Sequence, residues 1–224
     1  MILNSKQMQR FTRSCLVCIL FIGLYSCKDG KKFHDEAPEV KMVAFSKSEA
    51  DILEFQRNLN AEFKDPETSP LPDRYRKDFE GLSFFDPDTT YQVLAKFVRT
   101  PEALPFLMPT NTERESEEVV FGIAYFELNG RTFQLEVYQT IELKEQVGFE
   151  DYLFLPFTDA TNGKETYGGG RYIDLRIPAG ETLLIDFNKA YNPYCAYNKK
   201  YSCPLVPKGN NLDIEVLAGV KTFK

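Results

Sequence analysis

The chain contains no tryptophan and a single histidine, His34. One histidine leaves no basis for a His-rich metal site, and it argues against nucleophilic chemistry built on a His base. Glycine and proline number thirteen each in 224 residues, too few for a fibrous or disordered chain. Basic residues are the minority: 27 Lys+Arg against 33 Asp+Glu leave −6, a poor footprint for a nucleic-acid partner. The nucleophile elbow, the zincin pair, the phosphate-cradling Gly-Lys-Ser/Thr loop and the dinucleotide fingerprint are all missing. What remains is 43% hydrophobic and 14% aromatic, the composition of a globular chain of one domain or at most two.

The first 26 residues carry Lys6, Arg10 and Arg13 but no acid, followed by an apolar run over 15–25 (CLVCILFIGLY). A basic start and a run of this length form the secretory pattern, and the run falls short of the about 20 apolar residues a spanning helix needs. It ends in Leu24-Tyr25-Ser26-Cys27, which resembles a bacterial lipoprotein lipobox: an aliphatic residue three before the cysteine and a small one just before it. The expectation is a signal peptide over 1–26, lipidation of Cys27 with palmitate among its acyl chains, and a tether over 27–45. An ordinary cleaved signal or an uncleaved anchor is the competing reading. Lys28-Asp29 after the cysteine faintly resembles the surface-export signals of Bacteroidetes lipoproteins. Without residues 1–26 the chain keeps 24 basic and 33 acidic side chains, a charge of −9. Acyl chains, not charge, must then hold it to an anionic membrane. The expected location is the cell envelope, facing the periplasm or the cell surface. Cys195 and Cys203 are the cysteines left for the folded part, and an even pair in an exported chain favours a disulfide over two free thiols or half a metal site.

Residues 46–224 read as one domain. Ser46-Lys47-Ser48-Glu49 fits a capping box, and Ile52, Phe55, Leu59 and Phe63 recur at helical spacing, predicting an amphipathic helix over 47–63 that Asp65-Pro66 stops. Strand patterns follow at 91–99, 119–128, 131–140, 152–157, 171–177, 183–187 and 212–217. Asn129-Gly130 between two of them is a strong hairpin signal. The predicted class is mainly β (α+β): a single antiparallel β sandwich or barrel-like domain, with the N-terminal helix covering an edge or open end.

From 149 onward polar residues, a triple glycine and the two cysteines interleave. FTDATNGKETYGGGRYIDL and DFNKAYNPYCAY…CPLVP resemble the domain of unknown function family numbered 1684, over about 47–224. The resemblance implies a family found in exported and cytosolic bacterial proteins, and no activity, since the family is defined without one. The chain departs where relatives often carry a tryptophan-rich segment, reading Gly81-Leu82-Ser83-Phe84-Phe85 instead.

The candidate site is one cluster centred on Arg171 and Asp186 with Glu165, Tyr167, Asn188 and Tyr191 around it. By strand parity Arg171 shares a face with Ile173 and Leu175, and Asp186 shares one with Leu184, so both charges point inward. Inward charges are costly unless paired, which predicts an Arg171–Asp186 ion pair across neighbouring strands joined at Ala179-Gly180. The pair is either a structural pin or an anion-binding arginine set by its carboxylate. Asp159, Asn162 and Glu165 can supply oxygen ligands for calcium, though Asp-x-x-Asn-Gly is a good turn by itself. Glu165 with Asp186 or Asp174 is a candidate glycosidase pair, and Tyr167, Tyr191 and Tyr197 can stack on a sugar or peptide or simply pack. No cofactor and no metal is expected, and His34 is assigned no role. Two functions stay open: an envelope lipoprotein acting as a binding or structural module for a small-molecule or envelope ligand, or a hydrolase-like enzyme using carboxylate, Arg and Tyr groups instead of His.

Overall fold

The structure is a computed structural model that describes residues 48–223. The predicted signal peptide, Cys27, the tether with His34, and Ser46 lie outside the described residues. The first helix, α1, runs Glu49–Lys64 and is capped by Ser48, whose hydroxyl accepts from the amide of Asp51 at 3.3 Å. The start falls later than a Ser46 cap would set it, because the Ser48 oxygen is the one that reaches an orphan amide of the first turn. The predicted stripe is the buried face: Ile52, Leu59 and Phe63 are buried and Phe55 half-buried. Leu59 and Phe63 form a satellite cluster with Leu71, Leu82, Tyr197 and Val220, anchoring α1 to the loops and the C-terminal segment. A single helical turn, α2 (Asp73–Arg76), follows. Among the described residues no helix is long and apolar enough to cross a membrane.

Eight strands follow: β1 (Gln92–Arg99), β2 (Phe106–Pro109), β3 (Glu115–Leu128), β4 (Arg131–Thr140), β5 (Tyr152–Asp159), β6 (Arg171–Arg176), β7 (Thr182–Asp186) and β8 (Asn211–Leu212). They form one curled sheet, a half-barrel, in the order β6-β5-β4-β3-β1-β7, with β2 added beside β3 and β8 beside β5. Every pairing is antiparallel except β5 with β8. The Asn129-Gly130 hairpin forms as predicted: Leu128 faces Arg131, and both turn residues take positive φ, 52° and 73°.

Two strand predictions are corrected. Strands β6 and β7 do not pair through the Ala179-Gly180 turn. They stand at opposite ends of the sheet order, β6 on β5 and β7 on β1, and the curl of the sheet lets a short loop join its two edges. The 212–217 strand shrinks to the two residues of β8. Beyond it the backbone is satisfied by side chains instead of a ladder: Asp159 accepts from the Val216 amide, and Arg171 donates to the carbonyls of Val216 and Ala218.

The concave side of the sheet holds the main core, with Phe126, Leu135, Val137, Leu155, Phe157, Ile185 and Phe187 among its members. The opposite side is covered at one end. Tyr138, which alternation places outward on β4, is fully buried there with Met108, Phe154, Tyr172 and Cys203. That second layer, made by β2 and the 191–206 loop, frames the cavities described next.

Candidate functional site

The residues predicted to form one cluster divide into separate places. Arg171 has 0% exposure and pairs with Asp159, not Asp186: its Nη2 donates to Asp159 Oδ2 at 2.8 Å and to the Val216 carbonyl at 3.0 Å, and its Nη1 to the Ala218 carbonyl. Parity correctly placed Arg171 inward, but the strand beside β6 is β5, whose last residue is Asp159. Asp159 Oδ1 accepts from the Thr161 amide (2.9 Å), the Thr161 hydroxyl (2.6 Å) and the Val216 amide (3.2 Å). Burial pulls the Arg171 guanidinium below its ordinary range, and the Asp159 carboxylate opposes that pull. With its oxygens engaged by Arg171, Thr161 and Val216, Asp159 is part of a structural lock rather than the calcium ligand set considered with Asn162 and Glu165.

Asp186 is buried in a second network. It accepts from Gln92 Nε2 at 2.9 Å and from the amide and side chain of Asn188 at 3.0 and 2.9 Å, so it caps the turn after β7. Asn188 in turn exchanges hydrogen bonds with the backbone of Asp88 at 2.8 and 3.0 Å. Glu165 is exposed in the 159–170 turn, and Asp186 is enclosed, so the proposed Glu165–Asp186 carboxylate pair is not assembled. Of the triple glycine, Gly170 alone takes positive φ. Buried polar groups that satisfy one another in this way hold a fold together.

Tyr167 stands beside the cysteines. Cys195 and Cys203 are free thiols in the structure, with the Cys195 amide donating to Cys203 Sγ at 3.3 Å, so the predicted disulfide partners are neighbours without the bond. Geometry brings the sulfurs together, whereas the bond itself requires an oxidant. Hydrogen bonds from Cys203, and then from Tyr167, bring the Cys195 thiol down from 9.0 to about 7, while Cys203 is pushed up. Since the thiolate is the nucleophile, alkylation of Cys195 is expected to rise through pH near 7 and to shift upward in Cys203→Ala. A profile still climbing near pH 9 in the unaltered protein contradicts the geometry.

Tyr191 lies in a different environment, and it marks the concave part of the molecule. Its hydroxyl donates to Asp174 Oδ1 at 2.6 Å, and the hydroxyl of Tyr152 donates to the same oxygen at 2.7 Å. A cavity of about 310 Å³ opens between α1 and the 191–203 loop, walled by Phe55, Tyr172, Tyr191, Tyr194 and Tyr201 with Glu62 and Asp174. A second, of about 370 Å³, is lined by Arg114, Glu118, Thr140, Gln146, Tyr152, Phe154 and again Tyr172 and Tyr191. Tyr172 is fixed by a hydrogen bond to the Pro204 carbonyl and Tyr194 by one to Glu62. Burial raises the phenols of Tyr152, Tyr172, Tyr191 and Tyr194, so they remain protonated donors.

Sequence patterning missed Glu118. It lies on the polar start of β3, ahead of the apolar run at 119–128 that marked the strand, and shares its face with Ser116 and Val120. Glu118 has 1% exposure; Oε1 accepts from Ser116 Oγ at 2.7 Å and Thr140 Oγ1 at 3.0 Å. Asp174, named only as half of a possible carboxylate pair, is the residue of that pairing that does line a cavity. Among the described residues no group of three or more His, Cys, Asp or Glu side chains is placed to hold a metal ion.

A family model described as "Protein of unknown function (DUF1684)" matches residues 77–221, so α1 precedes the matched span that the sequence resemblance extended back to about 47. The chain is similar to the solution NMR structure of an uncharacterized protein of Haloarcula marismortui, with 32% identity and a TM-score of 0.61, over 78% of this chain and 94% of that one. No curated protein matches. The match of that model over residues 77–221, which holds the half-barrel and the polar block, shows that the chain belongs to the DUF1684 family.

Proposed function

We propose that this protein is a lipid-anchored cell-envelope binding module that takes a small ligand in the tyrosine-lined cleft. One observation carries the binding reading: two cavities share the walls Tyr172 and Tyr191, with the Asp174 carboxylate held between two phenol hydroxyls. Concave sites with aromatic walls and a few placed polar groups are the usual form of small-ligand sites. The Arg171 and Asp186 networks, buried and paired within the protein, act as the scaffold that holds this face in place. The anchoring reading rests on the basic start, the apolar run and the lipobox-like Leu24-Tyr25-Ser26-Cys27, and it places the domain at the periplasmic face or the cell surface of a bacterium.

The test has two parts. Cys27→Ser is expected to move the protein from membranes to the soluble fraction, and retention of that variant in detergent-dependent extracts overturns the anchor. A saturation-transfer NMR panel of sugars, amines and short peptides is expected to yield binders that Tyr191→Ala and Asp174→Asn abolish without loss of fold. No binders, or binders indifferent to both variants, leaves the scaffold role alone.

A further inference from the structure

A residue lining the same cleft carries one polar atom with no assigned work. Among the described residues, three buried side-chain polar atoms lack a hydrogen-bond partner, and one of them is Glu118 Oε2. Buried polar groups are nearly always paired, and an unpaired carboxyl oxygen costs more than an unpaired neutral group. Its fellow oxygen is held by Ser116 and Thr140, which fixes the carboxyl and leaves Oε2 as the free group of a residue lining the 370 Å³ cavity. The position is therefore rigid as well as unsatisfied, the condition under which a ligand hydrogen bond carries the least ordering cost.

Resting on the cleft reading above, we infer that this cavity is a subsite for a neutral saccharide, with Glu118 as its hydroxyl-binding group and Tyr152, Phe154, Tyr172 and Tyr191 as its stacking walls. Three observations select that ligand chemistry. An anion is opposed by Glu118 and Glu142, and the one guanidinium in the lining, Arg114, is engaged with Ser202 at 3.1 and 3.2 Å. Burial disfavours the ionised form of Glu118 and raises its pKa, so it is a weaker counter-charge for a cation than an exposed carboxylate. The unpartnered carboxyl oxygen of Glu118 can accept from a sugar hydroxyl whether or not the group is ionised, and the aromatic walls offer rings to the apolar C–H faces of a pyranose. Ser116, Thr140 and Gln146 in the same lining are uncharged hydrogen-bonding groups.

The experiment titrates the mature protein with cellobiose and with N,N′-diacetylchitobiose, and with choline as the cationic comparison. At least one disaccharide is expected to bind and to shift the ¹³C resonance of the Glu118 carboxyl in the unsubstituted protein. Glu118→Gln, which keeps a donor and an acceptor, is expected to retain affinity within about threefold. Glu118→Met is expected to lose about tenfold, the worth of one hydrogen bond. Because it removes an unsatisfied buried group, the Met variant is expected to stay folded, and the carboxyl resonance tests the inference even where it does not. Neither disaccharide shifting that resonance, or choline binding that Glu118→Gln abolishes, overturns the saccharide assignment. If other compounds still bind and are lost in Tyr191→Ala, the cleft reading stands without it. If nothing binds that Tyr191→Ala can abolish, both fall.

Discussion

Substituting Arg171 by Met is expected to destabilise the domain by about 3–5 kcal/mol, the range for removing one partner of a buried ion pair. The cost arises from what the substitution strands. Asp159 keeps its enclosed position and loses its counter-charge, and the carbonyls of Val216 and Ala218 lose their donor. The 213–218 segment has no ladder to fall back on, so the loss extends to the C-terminal run packed against α1 through Val220. Arg171→Lys retains the charge but not the forked geometry that serves Asp159 and two carbonyls together. It is expected to lower stability while leaving ligand binding in the cleft unchanged. Urea unfolding of these variants and of Arg171→Met/Asp159→Leu provides the check. The double variant should recover much of the loss, because well-packed apolar replacements of a buried pair are often neutral. A single-variant cost under about 1 kcal/mol, the worth of an exposed pair, sinks the lock.

The second large effect is expected at Gly170. Its φ is +91°, and a Cβ there falls 2.7 Å from the Phe157 carbonyl oxygen and 2.6 Å from Val206 Cγ2. Left-handed backbone costs a residue with a side chain about 1–3 kcal/mol. The clash adds to this, because the carbonyl belongs to β5 and cannot rotate aside without disturbing the Phe157–Arg171 register. Gly170→Ala is therefore expected to cost more than Gly130→Ala, where φ is +73° and nothing lies within 4 Å. Thermal unfolding of the two variants side by side separates strain from clash. Equal losses show that the close approach of β5 does not matter.

How much of this was legible in the sequence depends on the distance over which each feature is decided. The spacing of Ile52, Phe55, Leu59 and Phe63 marked the buried face of α1, and Asn129-Gly130 marked the β3–β4 hairpin, since both depend on sterics within one or two turns of chain. Parity placed Arg171 inward for the same local reason. Its partner was not legible, because Asp159 and Asp186 both end strands and both are buried. Nothing local says which strand stands next to β6.

The sequence by itself determined the helix, the hairpin, the mainly antiparallel β class, and the concentration of polar residues from 149 onward. Tertiary structure decided the rest. The curl of the sheet put β6 beside β5 and β7 beside β1, dividing one expected cluster into two locks. A second layer over Tyr138 turned the outer face of β4 into a wall, and Glu118 became a cavity residue only once β3, β4, β5 and the 191–204 loop met around it. Periodicity records which side of a strand a residue occupies, a matter of its own backbone. What lies opposite that side is settled by loop closure and strand order over a hundred residues, and no local pattern encodes it.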